Sequence, residues 1–401
     1  MTRVLVLHNR YQQRGGEDSV VDAETSLLRE AGHEVFVELV DNHAITSLPQ
    51  KLNAFARAPY DPAREAWAAD LTRRTRADVV HIHNFFPLLT PAVHAGAMQA
   101  GAAVVQTLHN YRLLCANALF LRNGSVCESC LGGSRLPAVT NRCYRGSLAG
   151  SLAVTRMQDR AEARGSWRTS VDRFIALTHF ARDKFVSGGL PAELISIKPN
   201  FVEQPRLLHA PERSGAIYVG RLSPEKGVHV LLQAWKQMPD VRLTIIGDGP
   251  ERQRLETMNP GNVVFAGAAS REEVFHQMAR AQMMIIPSLW YEGFPVTVVE
   301  ALASGLPVLG SRIGGLAEII PNESGLCLFG PGDAAQLARN ARALLEADLL
   351  AKAGDEARAA YLARYTPTQN LAQLERIYAE AIDHRDQRLG AQSAKQSLAT
   401  V

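Results

Sequence analysis

The sequence predicts an α/β protein made of two doubly wound domains. Three observations carry this. The chain has 401 residues with 46% hydrophobic content, more than one core usually holds, so two domains of roughly 150 to 200 residues are expected. Both halves alternate short Val/Ile/Leu runs with helical patterns, as βαβ units and helix-covered parallel sheets require. Between them lies QPRLLHAPERSG, a polar, proline-bearing stretch suited to a connection, with the boundary placed near residue 208.

In chain order the first domain, 1–207, opens with the strand RVLVLH and the helix EDSVVDAETSLLREAG. The strands HEVFVEL, ADVVHIHN and AAVVQTLHN follow. Residues 111–170 or so break the pattern with four cysteines, several glycines and an Arg-rich helical segment, and read as an insertion. RFIALTHFARDKFVSGGL then resumes a strand and helix. The second domain, 208–365, runs through AIYVGRLSPEKG, a helix in HVLLQAWKQM, VRLTIIGDGP, NVVFAGAAS and MMIIPS. NLAQLERIYAEAI is apolar-periodic and predicts a helix over 366–385. The remainder, 386–401, has little to bury and is expected to be a disordered tail.

The N-terminus enters an apolar strand at once, without a signal-peptide layout, and no run reaches about eighteen uninterrupted apolar residues. A cytoplasmic protein is expected. Residues 1–205 carry 23 Lys plus Arg against 19 Asp plus Glu, and the remainder 20 against 21, so the basic excess is local. Within 135–184 there are ten basic and four acidic side chains, either a solvated face or a peripheral contact with an anionic membrane. No nucleic-acid partner is expected.

Two stretches carry candidate chemistry. In YVGRLSPEKG the strand ends at Gly220, and Arg221 and Lys226 lie on the loop beyond, where two cations suit a diphosphate unless they are merely solvated. Ligands of open α/β sheets bind outside the carboxyl ends of strands, where helix N-termini add backbone donors. In SLWYEGFPVTVVEALASGLPVLGS, Glu292 falls on the loop after a strand and Glu300 on the next helix. Gly293 permits close backbone approach and Pro295 suits a helix start. Two carboxylates there can each accept hydrogen bonds from vicinal hydroxyls; the bland alternative is a dipole-complementing Glu and a solvated one.

GRLSPEKG, IIGDGP and E-G-F-P followed by VVEALASGLPVLGS resemble, jointly and in this order, the retaining glycosyltransferases of family 4. The resemblance implies the GT-B architecture, two Rossmann-like domains facing a deep cleft. It assigns Glu300 to the ribose of a nucleotide diphosphate sugar donor. Glu292 with the backbone of Gly293, Phe294 and Pro295 would hold the donor sugar, and Arg221 and Lys226 the diphosphate. RGGEDSVV resembles the family's glycine loop, with the amides of Gly15 and Gly16 toward the donor phosphate. His109, ending AVVQTLH, resembles the active-site histidine. His81 and His83 share one strand face; packing is expected for His81 and an acceptor-cleft role for His83.

The implied reaction transfers a sugar to a glycan or lipid-linked acceptor with retention, in cell-surface polysaccharide synthesis. No catalytic metal is obligatory, and no DXD-like motif stands in a matching context. A nucleotide-sugar epimerase and a non-catalytic nucleotide-sugar-binding protein are the alternatives. Cys115, Cys127, Cys130 and Cys143 include a C-x2-C pair that could enclose structural zinc; free buried thiols and disulfides remain open.

Overall fold

The computed structural model describes residues 1–10, 15–42, 47–204 and 212–399, so the expected boundary near 208 lies outside the described residues. Two six-stranded parallel sheets organise the chain. The first is built from β1 (Arg3–Arg10), β2 (Glu34–Asp41), β3 (Val79–Asn84), β4 (Ala103–Leu108), β7 (Arg173–Ala176) and β8 (Ile195–Ile197), in the order β2-β1-β3-β4-β7-β8. The second comprises β9 (Ala216–Val219), β10 (Leu243–Ile246), β11 (Val263–Gly267), β12 (Met283–Ile286), β13 (Val308–Ser311) and β14 (Leu328–Phe329), ordered β11-β10-β9-β12-β13-β14.

The central strands are buried on both faces because helices cover both: every residue of β3, β4, β9 and β12 is buried, β9 and β12 being apolar while β3 and β4 also carry polar residues. In each sheet the strand order reverses beside the first strand, between β1 and β3 and between β9 and β12. Such a reversal opens a crevice at the carboxyl edge, since the flanking crossovers run to opposite faces. The two sheets thus each bring one crevice to the molecule.

Between β4 and β7 the chain leaves the sheet. A small antiparallel hairpin, β5 (Leu121–Arg122) and β6 (Ser125–Val126), turns at Asn123 and Gly124, both with positive φ as an Asn-Gly hairpin turn requires. The helices Leu136–Thr140 and Leu148–Ala163 follow.

The C-terminal helix, Pro367–Ala399, returns to the first domain. Leu374, Ile377, Tyr378 and Ala381 pack with Val4, Val6, Val79, Val105 and Ile175 on one face of the first sheet. The expectation of a disordered tail from 386 is corrected, because the helix continues to Ala399. Polar anchors hold the start of that stretch. His384 Nδ1 lies 2.8 Å from the buried carboxylate of Asp172, Arg388 reaches the same carboxylate at 3.4 Å, and Arg385 donates to the Asp78 carbonyl at 3.3 Å. Among the described residues no helix is long and apolar enough to cross a membrane.

Candidate active site

Beyond β9 the chain makes a short 3-10 turn, Pro224–Lys226, and enters the helix Val228–Trp235 through Gly227. Gly227 has φ +68°, and a Cβ there would stand 2.0 Å from the Pro287 carbonyl oxygen, so only glycine lets this loop lie against the end of β12. That contact brings Lys226 to Glu292. The ammonium donates to both carboxylate oxygens, at 2.8 and 3.1 Å, and Ser288 Oγ donates to Oε1 at 2.6 Å. Lys226 also stands 5.4 Å over the Trp290 ring.

Gly293 answers to a different constraint. A Cβ on it would lie 2.5 Å from the carbonyl oxygen of His109, so the loop after β12 touches the backbone at the end of β4 across the two domains. His109 is buried, and its Nε2 shares a 2.9 Å hydrogen bond with His83 Nδ1. Burial pulls its pKa down to about 3, with His8 and Lys198 adding to the effect. The imidazole is neutral at physiological pH.

A buried polar network stands behind His109. Lys198 donates to Glu24 Oε1, and Glu24 Oε2 lies 3.8 Å from His83 Nε2. His81 spends one ring nitrogen on Tyr378 and the other on Thr107, both at 2.8 Å. His8 Nε2 meets Asp18 Oδ1 at 2.9 Å, and Asp18 Oδ2 accepts from the Gly15 amide at 2.8 Å. Desolvation holds His8, His81 and His83 below the usual imidazole range. Ligand atoms of Glu24, His81 and His83 come within 4.8 Å of one another. The Lys198 ammonium and the filled His81 nitrogens make this a hydrogen-bonded network, not an open ligand set.

The two halves meet around a cavity of about 350 Å³, in the range of small-molecule sites. Of the expected site residues, Gly16, His109, Lys226, Glu292, Gly293, Phe294 and Pro295 line it. Gly15, Arg221 and Glu300 do not. Gly15 has its amide taken by Asp18, and Arg221 is exposed. Glu300 is buried and paired with Arg271 Nε at 3.0 Å; burial raises its carboxyl pKa while Arg271 opposes the rise. His83 is buried and absent from the lining, so its reach toward the cleft passes through His109.

Sequence reasoning passed over Glu17, Asn200, Ser288 and Trp290, which also line the cavity. Asn200 Oδ1 and Trp290 Nε1 are buried there and have no hydrogen-bond partner among the described residues. Such atoms cost free energy unless something else satisfies them, so they point to a polar ligand. Ser288 and Trp290 lie four and two positions before Glu292, already singled out, and Asn200 follows a strand end; those positions were the available signals.

Residues 202–374 match the glycosyl transferases group 1 family, and residues 15–200 the glycosyl transferase 4-like domain. The chain is 26% identical over 304 residues to the 2-deoxystreptamine glucosyltransferase of Streptomyces kanamyceticus, covering 70% of this chain and 73% of that one. It is 36% identical over 140 residues to the sulfoquinovosyl transferase SQD2 of Arabidopsis thaliana, a match spanning 34% of this chain and only 27% of the relative's length. Among solved structures, the sucrose-phosphate synthase of Thermosynechococcus elongatus superposes with TM-score 0.67 at 19% identity, over 94% of this chain and 99% of that one. Anabaena HepE in complex with UDP and glucose gives TM-score 0.64 at 20% identity, over 94% and 99%. These last two likenesses concern the fold.

Proposed function

The chain belongs to the group 1 glycosyltransferases with a family 4-like first domain and the GT-B fold, and from that premise we propose that it transfers a sugar from a nucleotide diphosphate sugar, with retention, to a glycan or lipid-linked acceptor. One observation carries the proposal. The cavity at the two crevices joins a neutral histidine from one domain to a lysine, a carboxylate and two unpartnered polar atoms beside it.

In this reading Glu292 accepts hydrogen bonds from sugar hydroxyls, and Lys226, partly exposed, turns from Glu292 toward the leaving diphosphate. The charge that develops on that group is stabilised by the ammonium and by amides at the starts of the helices Gly16–Glu30 and Val296–Ala303. His109 lies beside the donor sugar. In the tautomer that carries the His83 proton on Nε2, on the side of the Glu24 carboxylate 3.8 Å away, His83 Nδ1 accepts from His109 Nε2–H. His109 then presents Nδ1 as an acceptor toward the cleft. Glu300 would hold the ribose and Arg221 would add to phosphate binding after a change in its surroundings, neither group lining the cavity as it stands.

Relatives named for lipopolysaccharide and colanic acid synthesis favour a cell-surface polysaccharide product. A cytoplasmic enzyme working peripherally at the membrane fits the insertion's helices, where Leu136 and Leu148 are exposed at 64% and 54%, with exposed Arg142 and Arg145 in the turn between them. No catalytic metal has a part in this reading.

Thermal stabilisation by UDP-, GDP-, ADP- and dTDP-sugars tests the donor site, because a ligand that binds only the native state must raise stability. A selective shift that Lys226→Ala weakens, followed by product with that donor, is expected. A shift without product would favour the non-catalytic nucleotide-sugar-binding reading, and no shift across the panel would point to a donor outside it or to an unrelated function.

A further inference from the structure

The cysteine-bearing insertion is not used by the proposed reaction, yet its thiols are not scattered. Cys115 follows the first turn after β4, Cys127 and Cys130 flank the turn after the β5–β6 hairpin, and Cys143 follows the helix Leu136–Thr140. All four line one small cavity of about 20 Å³, room for a single water-sized sphere. All four are free thiols and partly buried, whereas Cys327 lies apart in the second domain's core.

From this convergence we propose that Cys115, Cys127, Cys130 and Cys143 form a structural site for a thiolate-preferring divalent cation, zinc being the expected ion.

Three features of the insertion favour a metal over free thiols. The first is chemistry: four sulfurs, two of them in a C-x2-C turn, are the donor set of closed tetrahedral zinc sites. The second is charge. Four bound thiolates around a divalent ion carry a net negative charge, and Arg122 lines the same cavity. Ser129 Oγ, 3.3 Å from Cys127 Sγ, can donate to a thiolate in the way that supporting groups orient metal ligands. The third is the backbone. Among the described residues seven non-glycine residues have positive φ, and five fall here: Asn123 in the hairpin turn, and Ala118, Phe120, Arg142 and Arg145 outside it. Such conformations persist only where the surroundings over-determine them, and a four-point clamp does so in a segment with two strands of two residues each.

Closed tetrahedral ligation at about 2.3 Å sets neighbouring sulfurs roughly 3.8 Å apart. No three of these sulfurs are within 4.8 Å of one another, so binding draws the cluster inward. The site should therefore tighten the insertion as it fills. That matters for the cleft, because Glu128, inside the C-x2-C turn, binds Lys184 at 2.6 Å, and Lys184 stands 5.4 Å over the ring of Tyr291, the residue before Glu292. Phe120 also meets that ring at 6.2 Å. The metal's part is to hold the wall of the cleft.

The test uses the full chain without a polyhistidine tag, purified with reductant and without chelator. Elemental analysis should find about one zinc per chain, released in step with mercurial titration of four thiols. Cys130→Ser should lose the metal, and Cys327→Ser should keep it. If Cys130→Ser does not accumulate, cobalt(II) added to the metal-stripped natural chain serves instead; a thiolate-to-cobalt charge-transfer band supports the site, and its absence overturns it. Zinc-free protein whose four thiols react freely with Ellman's reagent also overturns the proposal, as does alkylation mapping that finds them paired in disulfides. None of these outcomes depends on donor binding, so the site and the proposed reaction fail separately.

Discussion

The two crevices are built on the same sheet topology and use polar side chains in opposite ways. At the first, behind β1, β3 and β4, Lys198 pairs with Glu24, His8 with Asp18, His81 with Tyr378 and Thr107, and His83 with His109, all of them buried. At the second, beyond β9 and β12, Lys226, Glu292 and Trp290 face a cavity, and Trp290 Nε1 has no partner within the described chain. One fold thus separates holding from binding. Groups that fix geometry are desolvated and bonded mainly to other buried groups, although His8 Nδ1 and Glu24 Oε2 lack a partner among the described residues, while groups that meet a ligand line the cavity.

If this contrast is right, the first crevice governs stability and the second governs activity, and acid should expose the difference most. Burial lowers the pKa of His94 to about 4 and of His109 to about 3, and it also depresses His8, His81 and His83. Unfolded imidazoles take up protons below about pH 6.5 while the folded ones stay neutral, so each contributes stability that is present above that pH and lost as the pH falls. The slope is up to about 1.4 kcal/mol per pH unit for each buried imidazole. The urea midpoint should fall steeply between pH 7 and pH 5, and a flat profile would refute the neutral cluster.

The next largest effect is expected from Lys198→Met, which leaves the Glu24 carboxylate buried without its cation. A loss of about 3 to 5 kcal/mol is expected in equilibrium unfolding, with part recovered in the double variant Lys198→Met/Glu24→Leu. Loss below about 1 kcal/mol would mean that water reaches the pair.

At the second crevice Glu292→Ala should cut turnover by about 10²- to 10³-fold, the scale for removing one group aimed at a reacting centre. Its unfolding midpoint should barely move, because Lys226 can turn to solvent. A stability loss as large as that of Lys198→Met would erase the contrast. The smallest effect should come from Tyr378→Phe, which removes the hydroxyl partner of His81 and should cost about 1 kcal/mol without changing donor affinity.

Much of the site was legible because its chemistry is local. E-G-F-P and the EKG turn lie within short loops at strand ends, so the placement of Lys226, Glu292 and Gly293 follows from reading the alternation correctly. Arg221 and Glu300 show the limit of that reading. Arg221 directly follows the lining residue Gly220 yet its side chain is exposed, and Glu300, about one helical turn beyond the lining residue Thr297, is taken up by Arg271. The C-terminal helix shows another limit. Residues 386–401 read as having little to bury, because the anchors at the start of that stretch, Asp172 for His384 and Arg388 and the Asp78 carbonyl for Arg385, lie more than 200 positions earlier in the chain.

The sequence by itself determined the two sheets, the loops that carry the candidate chemistry and the family resemblance, because hydrophobic periodicity and turn residues act over a few positions. Only the tertiary structure decided that Lys226 pairs with Glu292, that His83 stands behind His109, that four cysteines share one cavity and that the last helix crosses back to the first sheet. Each of these is a contact between distant segments, fixed by how whole elements pack and by the need to satisfy polar groups once water is excluded. No local pattern encodes that requirement.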